Sequence, residues 1–394
     1  MRIAFYAPMK TLDDPTPSGD RRMAQLFFDA LKAAGHDPFI ASTLVSYEPN
    51  GNRRVQVDLA RQGAAIAKHL IAGYRGGDIP RPALWFTYHL YHKAPDWIGP
   101  TVAEALHIPY VVAEASLAEK RKDGPWSTGY DGALRAARAA DLILAVTSND
   151  EAGLKSVLGT EAPIRRFVPF VEPHRAVSGR TKSAAKASLA RIYPGLNPAM
   201  PWLLAVAMMR EGSKADCYVA LGRALKSLFD RHSDQTWQFV ACGDGPARGD
   251  IEASYWDLPG GRIALLGEAD RALLELCYQA ADVYVWPGFG EAYGAAYLEA
   301  AAACLPTVAC AHPGVQEVVR DRQTGLLVPP DNPHAYADAV ATILDDQTLR
   351  ITMGARAHEV ATELHGFDRA VETLRAILPT QKLAAAQAVR TIAS

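Results

Sequence analysis

The strongest constraint in this chain is a rhythm of short strand-like runs separated by stretches of helical spacing. In the first half the runs are RIAFYA (2–7), PFIAST (38–43), ALWFTY (83–88), PYVVAEA (109–115), LILAVTS (142–148) and IRRFVPF (164–170). Each is rich in β-branched, aromatic or aliphatic residues. Between them lie segments such as 20–36, where apolar residues repeat at three and four and Gly35 supplies a stop. Strand alternating with helix predicts a parallel sheet covered on both faces.

The rhythm pauses once, over 173–200, which holds five basic residues, three prolines and no acid. It resumes with PWLLAVAMM (201–209), WQFVACG (237–243), RIALLG (262–267), ADVYVWP (281–287), PTVACA (306–311) and GLLVPP (325–330). Two consecutive doubly wound, Rossmann-like domains follow. The first is expected over 1–172 and the second over 201–365, joined by a basic linker at 173–200 whose charge is either a solvated face or a contact to a ligand phosphate. The Ala-rich tail, with a helix over about 366–390, is expected to pack back on the first domain. In such sheets ligands bind at the carboxyl ends of the strands, and the deepest cleft would lie between the two domains facing each other.

A length of 394 residues agrees with two cores rather than one. A net charge of -2 gives no electrostatic reason to expect nucleic acid as a partner. The start, MRIAFYAPM, has an apolar run too short for a signal or a membrane span, so the reading is a cytoplasmic protein. The five cysteines all fall in the second half without C-x-x-C spacing, which suggests small buried hydrophobes rather than a disulfide framework or a zinc site.

Four features of the second half lie where a strand hands over to a loop. In MMREGSK, Arg210 and Lys214 follow a strand directly, and two cations in a Gly-containing turn suit a diphosphate. In CGDGPARGD, Gly243 and Gly245 approach a dinucleotide fingerprint, but there is one residue too many before Gly249 and Pro246 lies inside. A ligand turn and a plain turn explain that stretch equally. In RIALLGEAD, backbone groups around Leu266 could face a flat base. The fourth feature, PGFGEAYGAAYLEAAAACLP (287–306), places Glu291 in a loop and Glu299 inside a helix that begins near Gly294. The amides around Tyr293 and Gly294 would then make an anion site at the helix N-terminus. Plain alternatives are a charge near a helix start for Glu291 and a buried acid paired with a structural Arg for Glu299.

Taken in order, R-x3-K, G-D-G-P, L-L-G, E-x7-E, P-G-V-Q-E-V-V and T-G-L-L-V-P-P-D resemble the retaining family-4 glycosyltransferases of GT-B fold, closely over about 201–345 and in outline before that. The resemblance implies a nucleotide-sugar donor, UDP- or GDP-linked, held by the second domain, and a hydroxyl acceptor held mainly by the first. It implies that Glu291 meets hydroxyls of the transferred hexose, that Glu299 meets the ribose, and that Arg210 and Lys214 neutralise the departing diphosphate. It implies no cofactor and no metal. In similar proteins a glycine near the first helix lies by the phosphates, here Gly19, and a His after a central strand contacts the sugar. Glu114 stands where that His is expected, and His89 lies one strand earlier. The Arg and Lys are one residue closer together than in the commonest pattern, and Ala292 replaces a usual Gly. Alternatives are a nucleotide-sugar epimerase of related fold and a non-catalytic nucleotide-sugar-binding protein. The loop AEKRKDGPW (118–126) groups Lys120, Arg121 and Lys122 with Trp126, as a peripheral contact to the inner face of a membrane would, although a solvated loop explains it as well.

Overall fold

The computed structural model of the chain describes residues 1–14, 18–172 and 181–378. These divide into two compact units, one formed by 1–169 with the segment from Phe367 onward, the other by 170–366.

In the first unit, strands β1 (Arg2–Tyr6), β2 (Asp37–Ile40), β3 (Leu84–Leu90), β4 (Tyr110–Ala115), β5 (Leu142–Ala145) and β6 (Ile164–Arg166) alternate with helices. The helices are α1 (Gly19–Ala33), α2 (Arg53–Gly76), α3 (Gly99–Leu106), α4 (Ser127–Ala139) and α5 (Ser148–Leu158). The strands pair in parallel in the order β2-β1-β3-β4-β5-β6, so the winding reverses between β1 and β3. Buried Tyr6, Trp85, Tyr110 and Val112 are among the residues that fill the core under the helices.

The second unit holds α6 (Lys182–Ile192), β7 (Trp202–Val206), α7 (Ser213–Arg231), β8 (Gln238–Cys242), α8 (Arg248–Ala253), β9 (Ile263–Gly267), α9 (Arg271–Ala280), β10 (Val283–Val285) and α10 (Ala295–Ala302). It continues through β11 (Thr307–Cys310), α11 (Pro313–Gln316), β12 (Gly325–Val328), α12 (Pro333–Asp345) and α13 (Gln347–Glu363). Its order is β12-β11-β10-β7-β8-β9, again parallel, with the reversal between β7 and β10. The final described helix, α14 (Phe367–Ile377), returns to the first unit and packs on α1, where Arg375 donates to the Ala33 carbonyl at 3.0 Å. The remainder of the expected tail helix, from 379, lies outside the described residues.

The twelve expected strand runs therefore coincide with the twelve strands of two parallel sheets. Part of the expected basic linker, 173–180, lies outside the described residues; the rest contains α6, which packs on α9. Its Lys186 is buried and bonds Asp282 Oδ2 at 2.7 Å, while Lys182 reaches Oδ1 at 3.2 Å and the Trp202 N–H donates to Oδ2 at 2.8 Å. These two basic residues thus have an internal carboxylate as partner. Burial by itself would raise the Asp282 pKa, but the two lysines hold it below the ordinary value. Four cysteines are buried as expected, whereas Cys304 is exposed because it lies just past the C-terminus of α10 at the surface. Among the described residues no helix is long and apolar enough to cross a membrane.

Candidate functional sites at the two strand-end switch points

In a doubly wound sheet the two loops that leave the switch-point strands diverge and open a crevice. In the second unit these loops follow β7 and β10, and they bring together Lys214 and Glu291, residues far apart in sequence. Lys214, in the first turn of α7, forms an ion pair with Glu291 Oε1, and both side chains are largely shielded from water. The Trp286 indole N–H donates to the same carboxylate oxygen at 3.0 Å, and the Lys214 ammonium lies 5.5 Å from the Trp286 ring centroid. Trp286 itself is buried edge-to-face against Tyr218. Glu291 Oε1 thus meets both a cation and a neutral donor. Arg210 is exposed in the turn that precedes α7.

Beyond Glu291 the chain turns into α10 at Gly294, whose φ of 71° is a left-handed conformation suited to glycine. No side chain caps this helix, so its first amides keep their capacity to bind an anion. Tyr293 is buried beside it. Glu299 lies in α10 and accepts from the Tyr278 hydroxyl at 2.8 Å; its partner is a tyrosine rather than the structural Arg of the plain alternative.

The glycines of the turn after β8 have a packing explanation. Gly243 and Gly245 have φ of 150° and 152°, and a Cβ at either would run into the carbonyls of Ala207 and Met209. The turn is stitched to the loop after β7 by Met209 N–H to the Asp244 carbonyl (2.9 Å) and Ala247 N–H to the Met209 carbonyl (3.0 Å). It therefore braces the loop that carries Arg210. Leu266 is half-buried near the end of the neighbouring edge strand β9.

The first unit gathers a different set at its own switch point. The β3–β4 register runs from Tyr88 opposite Ala113 to Leu90 opposite Ala115, which puts His89 level with Glu114. Both carry positive φ, 64° and 56°. His89 Nδ1 lies 3.3 Å from Asp20 Oδ1, in the first turn of α1, and 3.9 Å from Glu114 Oε1. The Tyr88 hydroxyl donates to Glu114 Oε2 at 2.9 Å. Asp150, in the first turn of α5, adds a further charge felt by His89. Burial pushes the pKa of Glu114 and of Asp150 up, and for Glu114 the nearby Asp20 and Asp150 add to the rise. Burial would lower that of His89, but Glu114 first and then Asp20 and Asp150 raise it overall. Gly19 begins α1 after the Ser18 cap, and a Cβ there would meet nothing within 4 Å, which leaves its approach open.

Asp96 shows what a structural acid looks like in the same unit. It is fully buried and saturated by Thr87, Tyr110 and the amides of Ile98 and Gly99, at 2.5 to 2.9 Å. The Trp126 of the basic loop is also engaged: its indole N–H donates to the Glu48 carbonyl at 3.0 Å, and Lys93 and Arg121 both lie over its ring.

Sequence reasoning singled out Glu291, Lys214, Glu299, His89 and Glu114 but not Trp286, Tyr278 or Asp150. The signal for Asp150 was present, because an acid in the first turn after a strand repeats the placement of Asp20. Trp286 and Tyr278 gave none, since buried aromatics at strand ends and in helices are ordinary core residues.

Two doubly wound parallel units in one chain, with a cation and a carboxylate paired at the switch point of the second, define an α/β protein of GT-B type. Residues 201–346 match the family described as glycosyl transferases group 1. A protein named D-inositol 3-phosphate glycosyltransferase from Corynebacterium glutamicum (strain R) is 35% identical over 144 residues, 35% of this chain and 34% of that protein. The chain thus spans about a third of this relative's length. A protein of the same name from Streptomyces scabiei (strain 87.22) is 29% identical over 314 residues, 75% of this chain and 67% of the relative. The solved structure of Anabaena HepE in complex with UDP shares the fold at a TM-score of 0.71 and 13% identity, covering 96% of this chain and 99% of that one.

Proposed function

We propose that the chain is a retaining, metal-independent glycosyltransferase that moves a hexose from a UDP- or GDP-sugar to a hydroxyl acceptor. The observation that carries this reading is the Lys214–Glu291 pair at the switch point of the group 1 domain. The pair supplies a cation for a diphosphate and an anionic acceptor for sugar hydroxyls, beside the uncapped N-terminus of α10. As the bond between the anomeric carbon and the phosphate oxygen breaks, its electrons pass to the diphosphate. Lys214, Arg210 and the amides at Tyr293 and Gly294 stabilise that growing charge more than they stabilise the ground state. Glu291 holds the hexose by its hydroxyls and Glu299, steadied by Tyr278, holds the ribose. The base lies along the strand-end segments at Gly243, Gly245 and Leu266. A complex of a like-folded protein with UDP supports a nucleotide as the ligand.

The acceptor belongs to the first unit, with His89 and Glu114 in contact with it or with the transferred sugar, while Gly19 belongs with the donor phosphates. The relatives are named for inositol 3-phosphate, a phosphorylated polyol. Asp20, Glu114 and Asp150 would repel a phosphate placed against His89, so these groups take hydroxyls of the acceptor. Titration with UDP and with GDP by calorimetry, in the presence of a chelator, tests the donor half. Binding of one nucleotide in the micromolar range is expected, and no heat with either at millimolar concentration would sink the reading. Mass spectrometry of a nucleotide-sugar panel then identifies the hexose from the donor that is hydrolysed.

A further inference from the structure

The loop that carries Glu291 is held from behind by a buried thiol that this mechanism does not use. Cys217 lies in α7 one turn after Lys214, on the same helical face, and is fully buried. The Phe289 N–H donates to its sulfur at 3.1 Å, and the sulfur lies 4.0 Å from the Phe289 carbonyl oxygen. Phe289 is the tip of a tight loop between Gly288 and Gly290, with φ of 85° and 68°. A Cβ at Gly288 would strike Tyr297 and Val315, and one at Gly290 would come within 3.1 Å of Ser213. The loop is therefore pressed against the first turns of α7, and the thiol meets its backbone at Phe289. Burial pushes the Cys217 thiol up to about 11, so at neutral pH it is a neutral hydrogen-bonding group rather than a nucleophile.

We infer that Cys217 is a positioning residue: by holding the Phe289 amide it sets the Glu291 carboxylate in register with Lys214 and Trp286. This rests on the donor-site reading above, because register matters only if both charges meet one ligand. A displacement of a reacting group by about 1 Å is enough to slow a reaction on the order of a hundredfold. The consequence of losing one loop contact, with Trp286 and Lys214 still in place, should be nearer tenfold.

The test uses the Trp286 indole ¹⁵N–¹H resonance, identified by its loss in Trp286→Phe, as a reporter of the Glu291 position that does not require activity. Cys217→Ala should shift or broaden this resonance and lower kcat about tenfold, with the Kd of the bare nucleotide changed less than twofold. Cys217→Ser, which keeps an acceptor, should restore the resonance and most of the kcat. If Cys217→Ala melts too early to compare, Cys217→Val fills the space without an acceptor and should reproduce its effects. An unmoved Trp286 resonance in the Ala or Val variant, or a Ser variant no better than Ala, overturns the inference. Should the protein prove to transfer no sugar, the resonance still decides the role of Cys217, so the two failures are told apart.

Discussion

The two units place charged side chains at the same topological point, the strand-end reversal of a doubly wound sheet, and surround them with opposite electrostatics. In the second unit Glu291 faces Lys214 and an indole N–H, so its charge is matched before any ligand arrives. In the first, Asp20, Glu114 and Asp150 crowd around the single imidazole of His89. Glu114 and Asp150 are held up in pKa by burial, and His89 is held up by its acidic neighbours. Topology alone therefore sets where the strand-end loops open, while the few residues at the strand tips decide what charge would be favoured there. A matched pair suits a ligand that brings both a diphosphate and hydroxyl groups; an acid-rich cluster suits neutral hydroxyls.

The largest effect should come from breaking the pair. Glu291→Gln is expected to reduce transfer and donor hydrolysis about 10²- to 10³-fold, with little change in the Kd of the bare nucleotide. Steady-state kinetics beside calorimetry would show this, and equal losses in both would dissolve the distinction between sugar and nucleotide contacts. Next, Asp282→Asn leaves Lys186 buried without its counter-charge and should cost about 3 kcal/mol in urea unfolding of the chain. The Asp282 pKa is lowered in the folded state, so its contribution is present above the unfolded carboxylate value and is lost as pH falls. The variant should accordingly flatten the acid side of the stability profile; an unchanged profile would mean that Lys186 is not held by Asp282.

Glu299→Gln should then weaken bare-nucleotide binding about tenfold, the loss of one charged hydrogen bond, with kcat at saturating donor close to wild type. Calorimetry with the nucleotide alone checks it, and an intact Kd would free Glu299 from the ribose. The smallest effect tests the first unit. Glu114→Gln removes the leading influence that raises His89, so the imidazole pKa should fall, as followed by its NMR titration. The His89 pKa is raised on folding, so its stabilisation is complete below about 6.5, the unfolded value, and is lost as pH rises through the folded one. The variant should lose less stability than wild type as pH rises through that window. A His89 pKa that does not move would show that Asp20 governs it instead.

The strand rhythm was legible because each run of apolar residues is bounded by its own turn or helix, and that information is local. The acids of the second unit stood out for a different reason: their order and spacing form a joint pattern, and Lys214 and Glu291 lie in loops that a Rossmann-like sheet is bound to bring to one end. The pairing of His89 with Glu114 was not. It depends on β3 and β4 aligning Tyr88 with Ala113, a register set by packing across the sheet rather than by either strand's residues. Read in one dimension, Glu114 was a substitution for an expected His; in the sheet it stands beside a His supplied by the next strand. Trp286 and Cys217 were hidden because apolar packing and polar positioning use the same residue types, and only the direction of an N–H separates them.

The return of α14 to the first unit has a consequence for synthesis on the ribosome. The second unit, 170–366, is one uninterrupted stretch of chain, while the first needs both ends, since α14 covers α1. A chain emerging from its N-terminus would hold α1 without the helix that packs on it until Phe367–Ile377 has been made. Domains tend to fold as they appear. Here the later-made unit can finish first, and the earlier one closes only when the final described helix arrives.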